Sequence, residues 1–219
     1  MRVRAHRGRD RHWATAVRIS FALLALGGCA SSGPPGGGIR LAARIEFDAP
    51  SGRDLLRIDP HRDEVKLSDP IGATVARYRM DGGRLRIQSR TGVPEAFVEP
   101  RSTGSRDLRI VEPGGNVLYE LQSEPDGNLT LRDRAANPMY EIKSRDYGLK
   151  VEQPDGATHA KIRVHTNRIS ARDATGKTVF TTRDPIPAAV AACLTLNQIP
   201  LAYRVGLGLG IIQWGAGDL

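Results

Sequence analysis

Only two of the 219 residues are cysteines, Cys29 and Cys193. Cys193 lies among Ala191, Ala192 and Leu194, the setting of a buried, inert thiol and not of a nucleophile. No Gly-x-Ser-x-Gly elbow occurs, so the commonest serine-hydrolase signature is missing. Beyond residue 28 there are three histidines, His61, His159 and His165. His61-Arg62-Asp63-Glu64 falls in a turn, and His159 and His165 have no nearby Asp, Glu or Cys partner, which leaves a zinc site without a ligand set. His159 and His165, six apart, are expected on one face of a regular strand. No run matches a D-x-D-x-D-G loop, so the Asp-Gly pairs read as turn chemistry and not as calcium ligands. The carboxylates are scattered over turns and outward strand positions, and no glycosidase-type pair stands out. Gly206-x-Gly208-x-Gly210 lacks the dinucleotide spacing and has no βαβ unit around it. These absences leave no catalytic residue, no metal ligand and no cofactor to name.

A basic block is also missing from most of the chain. The formal charge is +8, but residues 1–28 hold six arginines and one acid. The remainder carries 26 basic and 23 acidic residues, a net +3 without clustering. Nucleic-acid binding is therefore not expected. Arg77, Arg79, Arg86, Arg109 and Arg163 alternate with apolar residues and are expected on one outer surface. That surface is either a solvated exterior or a face for anionic head groups or an acidic envelope partner.

The N-terminus reads as an address. An arginine-rich stretch ends at Arg18, and the apolar run Ile19–Leu26 follows, too short for a permanent span of roughly 20 residues. Leu26-Gly27-Gly28-Cys29 then resembles the lipobox of bacterial lipoproteins. The resemblance implies cleavage before Cys29, lipidation of Cys29, and, with Ala30 in place of Asp, sorting to the periplasmic leaflet of the outer membrane. More than one acyl chain gives durable anchoring. Residues 1–28 are thus expected as a signal peptide, and 29–40 as a lipidated N-terminus with a flexible tether (Ser31 to Gly38). If Cys29 is acylated, no disulfide can form within the chain.

Residues 41–219 are expected to form one domain. From Ile45 onward a loose beat of about twenty residues recurs. Units open at Ile45, Val65, Leu85, Leu108, Leu129, Leu149 and Ile169. Each begins with an alternating strand such as Leu129-Thr130-Leu131 and continues through a turn such as Asp69-Pro70-Ile71-Gly72. A second strand follows, such as Val117–Leu121. Each unit is a hairpin, and the set predicts about twelve to fourteen strands.

So many one-sided strands must close or stack to hide their edges. The apolar stretch Ile186 to Trp214 chooses among the solutions, because a wide barrel has room for a helix. Asn197, Gln198, Pro200 and Arg204 make that stretch costly in lipid. Pro200 divides it into a lead-in helix, Pro187–Leu196, and a core helix, Leu201–Ile212. The expected fold is mainly β, a closed antiparallel barrel enclosing a C-terminal apolar helix.

The pattern of strand–turn–strand units followed by a hydrophobic C-terminal helix resembles the tubby C-terminal-like superfamily over about Ile45 to Trp214. That superfamily includes the LURP-one-related proteins and the phospholipid scramblases. The resemblance implies a barrel threaded by its last helix. The expected partners are the membrane, through the lipid anchor, and a lipid or an envelope protein. The expected function is a membrane-anchored, non-catalytic binding or structural module; the alternative is a lipid- or head-group-binding, scramblase-like protein.

Overall fold

The computed structural model describes residues 38–215. The expected signal segment, Cys29 and the expected tether up to residue 37 lie outside the described residues. Fourteen strands come in chain order: β1 (Ile45–Asp48), β2 (Asp54–Pro60), β3 (Val65–Ser68), β4 (Thr74–Asp81), β5 (Arg84–Ser89), β6 (Pro94–Pro100) and β7 (Leu108–Val111). They continue with β8 (Val117–Ser123), β9 (Leu129–Asp133), β10 (Pro138–Arg145), β11 (Gly148–Glu152), β12 (Thr158–His165), β13 (Arg168–Asp173) and β14 (Thr178–Thr182). Two helices follow, α1 (Ala188–Leu194) and α2 (Leu201–Trp214).

Every strand pairs antiparallel with its sequence neighbours, and β1 meets β14 to close the barrel. The expected mainly-β barrel is present, with fourteen strands, the upper end of the expected number, two from each of the seven hairpins. The closing seam is thin, with Asp48 opposite Thr181 as its one registered pair. Two further contacts reinforce it. The Glu46 backbone N–H donates to Asp184 Oδ2 at 2.6 Å, and the Phe47 and Phe180 rings meet edge-on at 5.4 Å.

The seven odd-to-even turns share one geometry. The first N–H of each donates to the fifth carbonyl, and the fourth N–H returns to the first carbonyl, as in Asp69 to Ala73 and Gly72 to Asp69. The fourth residue then lies in the left-handed region, where glycine carries no steric cost. Glycine stands there in six turns, and Ala136, with φ of 63°, in the seventh. Asp69, Asp133 and Asp173 place Oδ1 on the N–H groups two and four residues on, which is why acids open these turns.

Next to each of these turns the even strand carries one extra residue. Leu67 pairs with Ala76 and Ser68 with Thr74, so Val75 has no partner. The same skip leaves Leu55, Glu95, Leu118, Met139, His159 and Val179 unpaired in the other six hairpins. Each is a β-bulge, which bends its strand and re-aims its own side chain. Because all seven adjoin the same set of turns, they ring one mouth of the barrel.

A fourteen-strand barrel is too wide for strand side chains alone to fill. α1 and α2 occupy the interior, each preceded by a proline, Pro187 or Pro200. The core helix extends to Trp214, two residues past the expected end, and the lead-in helix is shorter than expected, ending at Leu194. The glycines of α2 permit close contact. A Cβ on Gly206 would lie 2.8 Å from Ile87 Cδ1, and one on Gly210 would lie 3.0 Å from Leu108 Cδ1. Gly208 faces α1 instead, against Val190.

The outer face is charged and paired. Glu64 meets Arg77 at 3.1 Å and Arg79 at 2.9 Å, and Lys143 meets Glu152 at 2.7 Å. Such a face lacks the apolar band of a lipid-facing barrel. Among the described residues, no helix is long and apolar enough to cross a membrane.

Candidate functional site

β1 runs towards the bulged mouth, so the chain enters the barrel at the opposite, far mouth. There Arg40 donates its backbone N–H to Gln213 Oε1 at 2.8 Å, beside the end of α2. α1 leads from the far mouth to the bulged one, residues 195–200 cross it, and α2 returns.

Four side chains hold that crossing. Tyr78 Oη donates to the Ala202 carbonyl at 2.9 Å, and Tyr140 Oη to Asn197 Oδ1 at 2.9 Å. His159 Nε2 lies 2.7 Å from the Thr195 carbonyl, and because a carbonyl only accepts, Nε2 carries the proton. Arg204 Nη1 donates to the Leu194 carbonyl at 3.0 Å, satisfying the last carbonyl of α1. Burial pushes the Tyr78 and Tyr140 hydroxyls above their ordinary range, so both stay protonated donors.

Beside the crossing, over the β1–β14 seam, lies a cleft of about 470 Å³. Leu55, Val75 and Val179 from the bulges, with Leu201, give it apolar walls. His159, Asn197 and Arg204 supply polar groups. Asp69 and Asp173 also line it, each with Oδ1 engaged by its own turn.

Arg204 differs from the strand arginines. Arg77 and Arg79 share Glu64, Arg86 pairs with Asp81, and Arg109 with Glu120, while Arg163 lies over the Tyr147 ring. The expected arginine surface is therefore largely neutralised by acids. Arg204 makes its one hydrogen bond to a carbonyl, and its buried Nε has no partner among the described residues. Burial lowers its pKa from the ordinary arginine value, the signature of a cation short of compensation.

Of the residues singled out from sequence, Cys29 lies outside the described residues. Cys193 is fully buried, with its thiol pushed up to about 12. His61 is exposed in the β2–β3 turn. The expected shared face of His159 and His165 is overturned by the bulge at His159. Its ring turns inward to Thr195, while His165 is exposed at the far mouth. Among the described residues, no group of three His, Cys, Asp or Glu stands close enough to hold a metal ion. Nothing in the sequence places Arg204 at a cleft; a lone cation inside an apolar helix is the one signal there.

The fold and cleft define a class: an up-and-down β-barrel filled by its own C-terminal helices, with a ligand-sized opening at one mouth. No protein-family model matches the chain, and no curated protein matches it in sequence. Among solved structures, an Arabidopsis thaliana protein is similar at 12% identity and a TM-score of 0.38, over 71% of this chain and 89% of that one. BamB from Moraxella catarrhalis is similar at 14% identity and a TM-score of 0.25, over 59% and 67%. An alternansucrase in complex with isomaltononaose follows at 16% identity and a TM-score of 0.17, over 65% of this chain and 13% of the enzyme.

Proposed function

We propose that this protein is a lipid-anchored component of the bacterial cell envelope whose barrel is a non-catalytic binding module. Leu26-Gly27-Gly28-Cys29 behind a short apolar run supports the anchor, with Cys29 as the acylated residue and Ala30 favouring the periplasmic leaflet of the outer membrane. The observation that carries the binding role is the cleft at the bulged mouth. The His159 imidazole and the Asn197 amide that line it each make one bond holding the crossing, Nε2 to the Thr195 carbonyl and Oδ1 from Tyr140, so both help to shape the site. Apolar walls with few convergent polar groups are the usual form of a small-molecule site.

Radiolabelled palmitate is the direct test of the anchor. Label should enter the wild-type protein in a bacterial host and be lost from Cys29→Ala; label retained in that variant, or absent from both, contradicts the anchor.

A further inference from the structure

We propose that the cleft at the bulged mouth holds a single-chain amphiphile by its anionic head, with Arg204 as the head-group residue. This rests on the binding role proposed above and names the chemistry it serves: one apolar chain ending in a carboxylate or a phosphate.

Arg204 is the one arginine or lysine among the residues lining the cleft, which also include Asp69 and Asp173. A guanidinium offers five N–H donors. Arg204 uses one on Leu194, leaves a buried Nε without a partner among the described residues, and has no ion pair there. A half-buried cation in this state gains most from an anion that brings two oxygens, because a paired carboxylate or phosphate engages the fork with charge-assisted bonds. Asp69 and Asp173 are unsuited to that role, since each is held in its own turn.

The walls call for the other half of the ligand. Val75 and Val179 sit at bulges, where a regular strand would have set them differently, and remain 38% and 43% exposed. Apolar side chains turned towards the cleft and its rim lose contact with water when an alkyl chain lies along them. The volume, about 470 Å³, falls within the roughly 300–1,000 Å³ of small-molecule sites.

The test uses the full chain carrying Cys29→Ser, which removes any covalent lipid and leaves the cleft untouched. Calorimetric titration compares decanoate, decyl phosphate and decanol, each below its aggregation concentration. Both anions should bind about tenfold or more tighter than decanol. The tighter of the two identifies a free acid or a phosphate head as the natural chemistry. Arg204→Met should abolish the preference, so that neither anion binds tighter than decanol. Val179→Trp fills the rim at an exposed position, spares the Arg204–Leu194 bond, and should block all three; thermal melting confirms that each variant is folded. Equal affinity for the three amphiphiles, or a preference that survives in folded Arg204→Met, overturns the head-group assignment and leaves the binding role standing. Decanoate binding unchanged in Val179→Trp places the ligand elsewhere and overturns it too. No binding of any amphiphile overturns both the assignment and the binding role, while the palmitate result is unaffected.

Discussion

Arg204 Nη1 and the carbonyl oxygen of Leu194 are 3.0 Å apart, joining the second interior helix to the end of the first. The bond ties together the two elements that fill the barrel, and it fixes the one arginine lining the cleft. Replacing Arg204 by Met should therefore destabilise the fold by about 1.5–3 kcal/mol, the range for hydrogen bonds to charged groups. Urea denaturation measures it, and an unchanged midpoint would show that the bond contributes nothing to holding α1 on α2.

Gly206 and Gly210 lie against β5, β6 and β7 with no room for a side chain. Helix propensity alone would make Leu better than Gly by roughly 0.8 kcal/mol. Overpacking opposes it, because Cβ atoms there would sit 2.8 to 3.1 Å from Ile87, Val98 and Leu108. Gly210→Leu should lower stability by about 1–3 kcal/mol or more. A stabilised variant would mean that the barrel yields around α2.

Ala136 holds a left-handed conformation that glycine holds in the six equivalent turns. That conformation costs a non-glycine residue roughly 1–2 kcal/mol, against about 0.4–1 kcal/mol of extra unfolded-state entropy for glycine. Ala136→Gly should stabilise the protein by about 0.5–1 kcal/mol in thermal or urea unfolding. Gly156→Ala, the reverse change in the next such turn along the chain, should destabilise it.

Glu152 sits buried between Lys143 at 2.7 Å and Lys150 at 2.5 Å. Hydrogen bonds from Lys143 and then Lys150 lower its pKa from 4.5 to about 2. A depressed carboxylate binds its proton more readily in the unfolded chain, so its stabilising contribution is complete above about 4.5 and is lost as pH falls through about 2. The melting temperature should fall over that window, and Glu152→Gln should flatten the fall while lowering the temperature at neutral pH. Parallel pH profiles for the two proteins would contradict the assignment.

Much of the barrel is legible in the sequence because its period is written twice, in alternating strands and in turn residues. The seven unit openings lie within one residue of the starts of β1, β3, β5, β7, β9, β11 and β13. The 23-residue spacing between Leu85 and Leu108 reflects the long β6–β7 connection, residues 101–107. β2 and β6 are harder to read, since both end in proline, which argues against a strand interior. The bulges are not legible. An extra residue beside a turn changes neither composition nor alternation enough to be seen, and it reverses the facing of everything before it. His159 shows the consequence. Arg204 shows another limit: its sequence neighbours are apolar, but its partner lies ten residues away on the preceding helix.

Native mass spectrometry of the protein, gently released from the membrane of a bacterial host, tests the central claim most directly. The expected species is a chain beginning at Cys29 and carrying covalent acyl groups, with a further non-covalent single-chain anionic amphiphile that is absent from Val179→Trp. A chain without acyl groups at Cys29, and without any bound amphiphile, would contradict it.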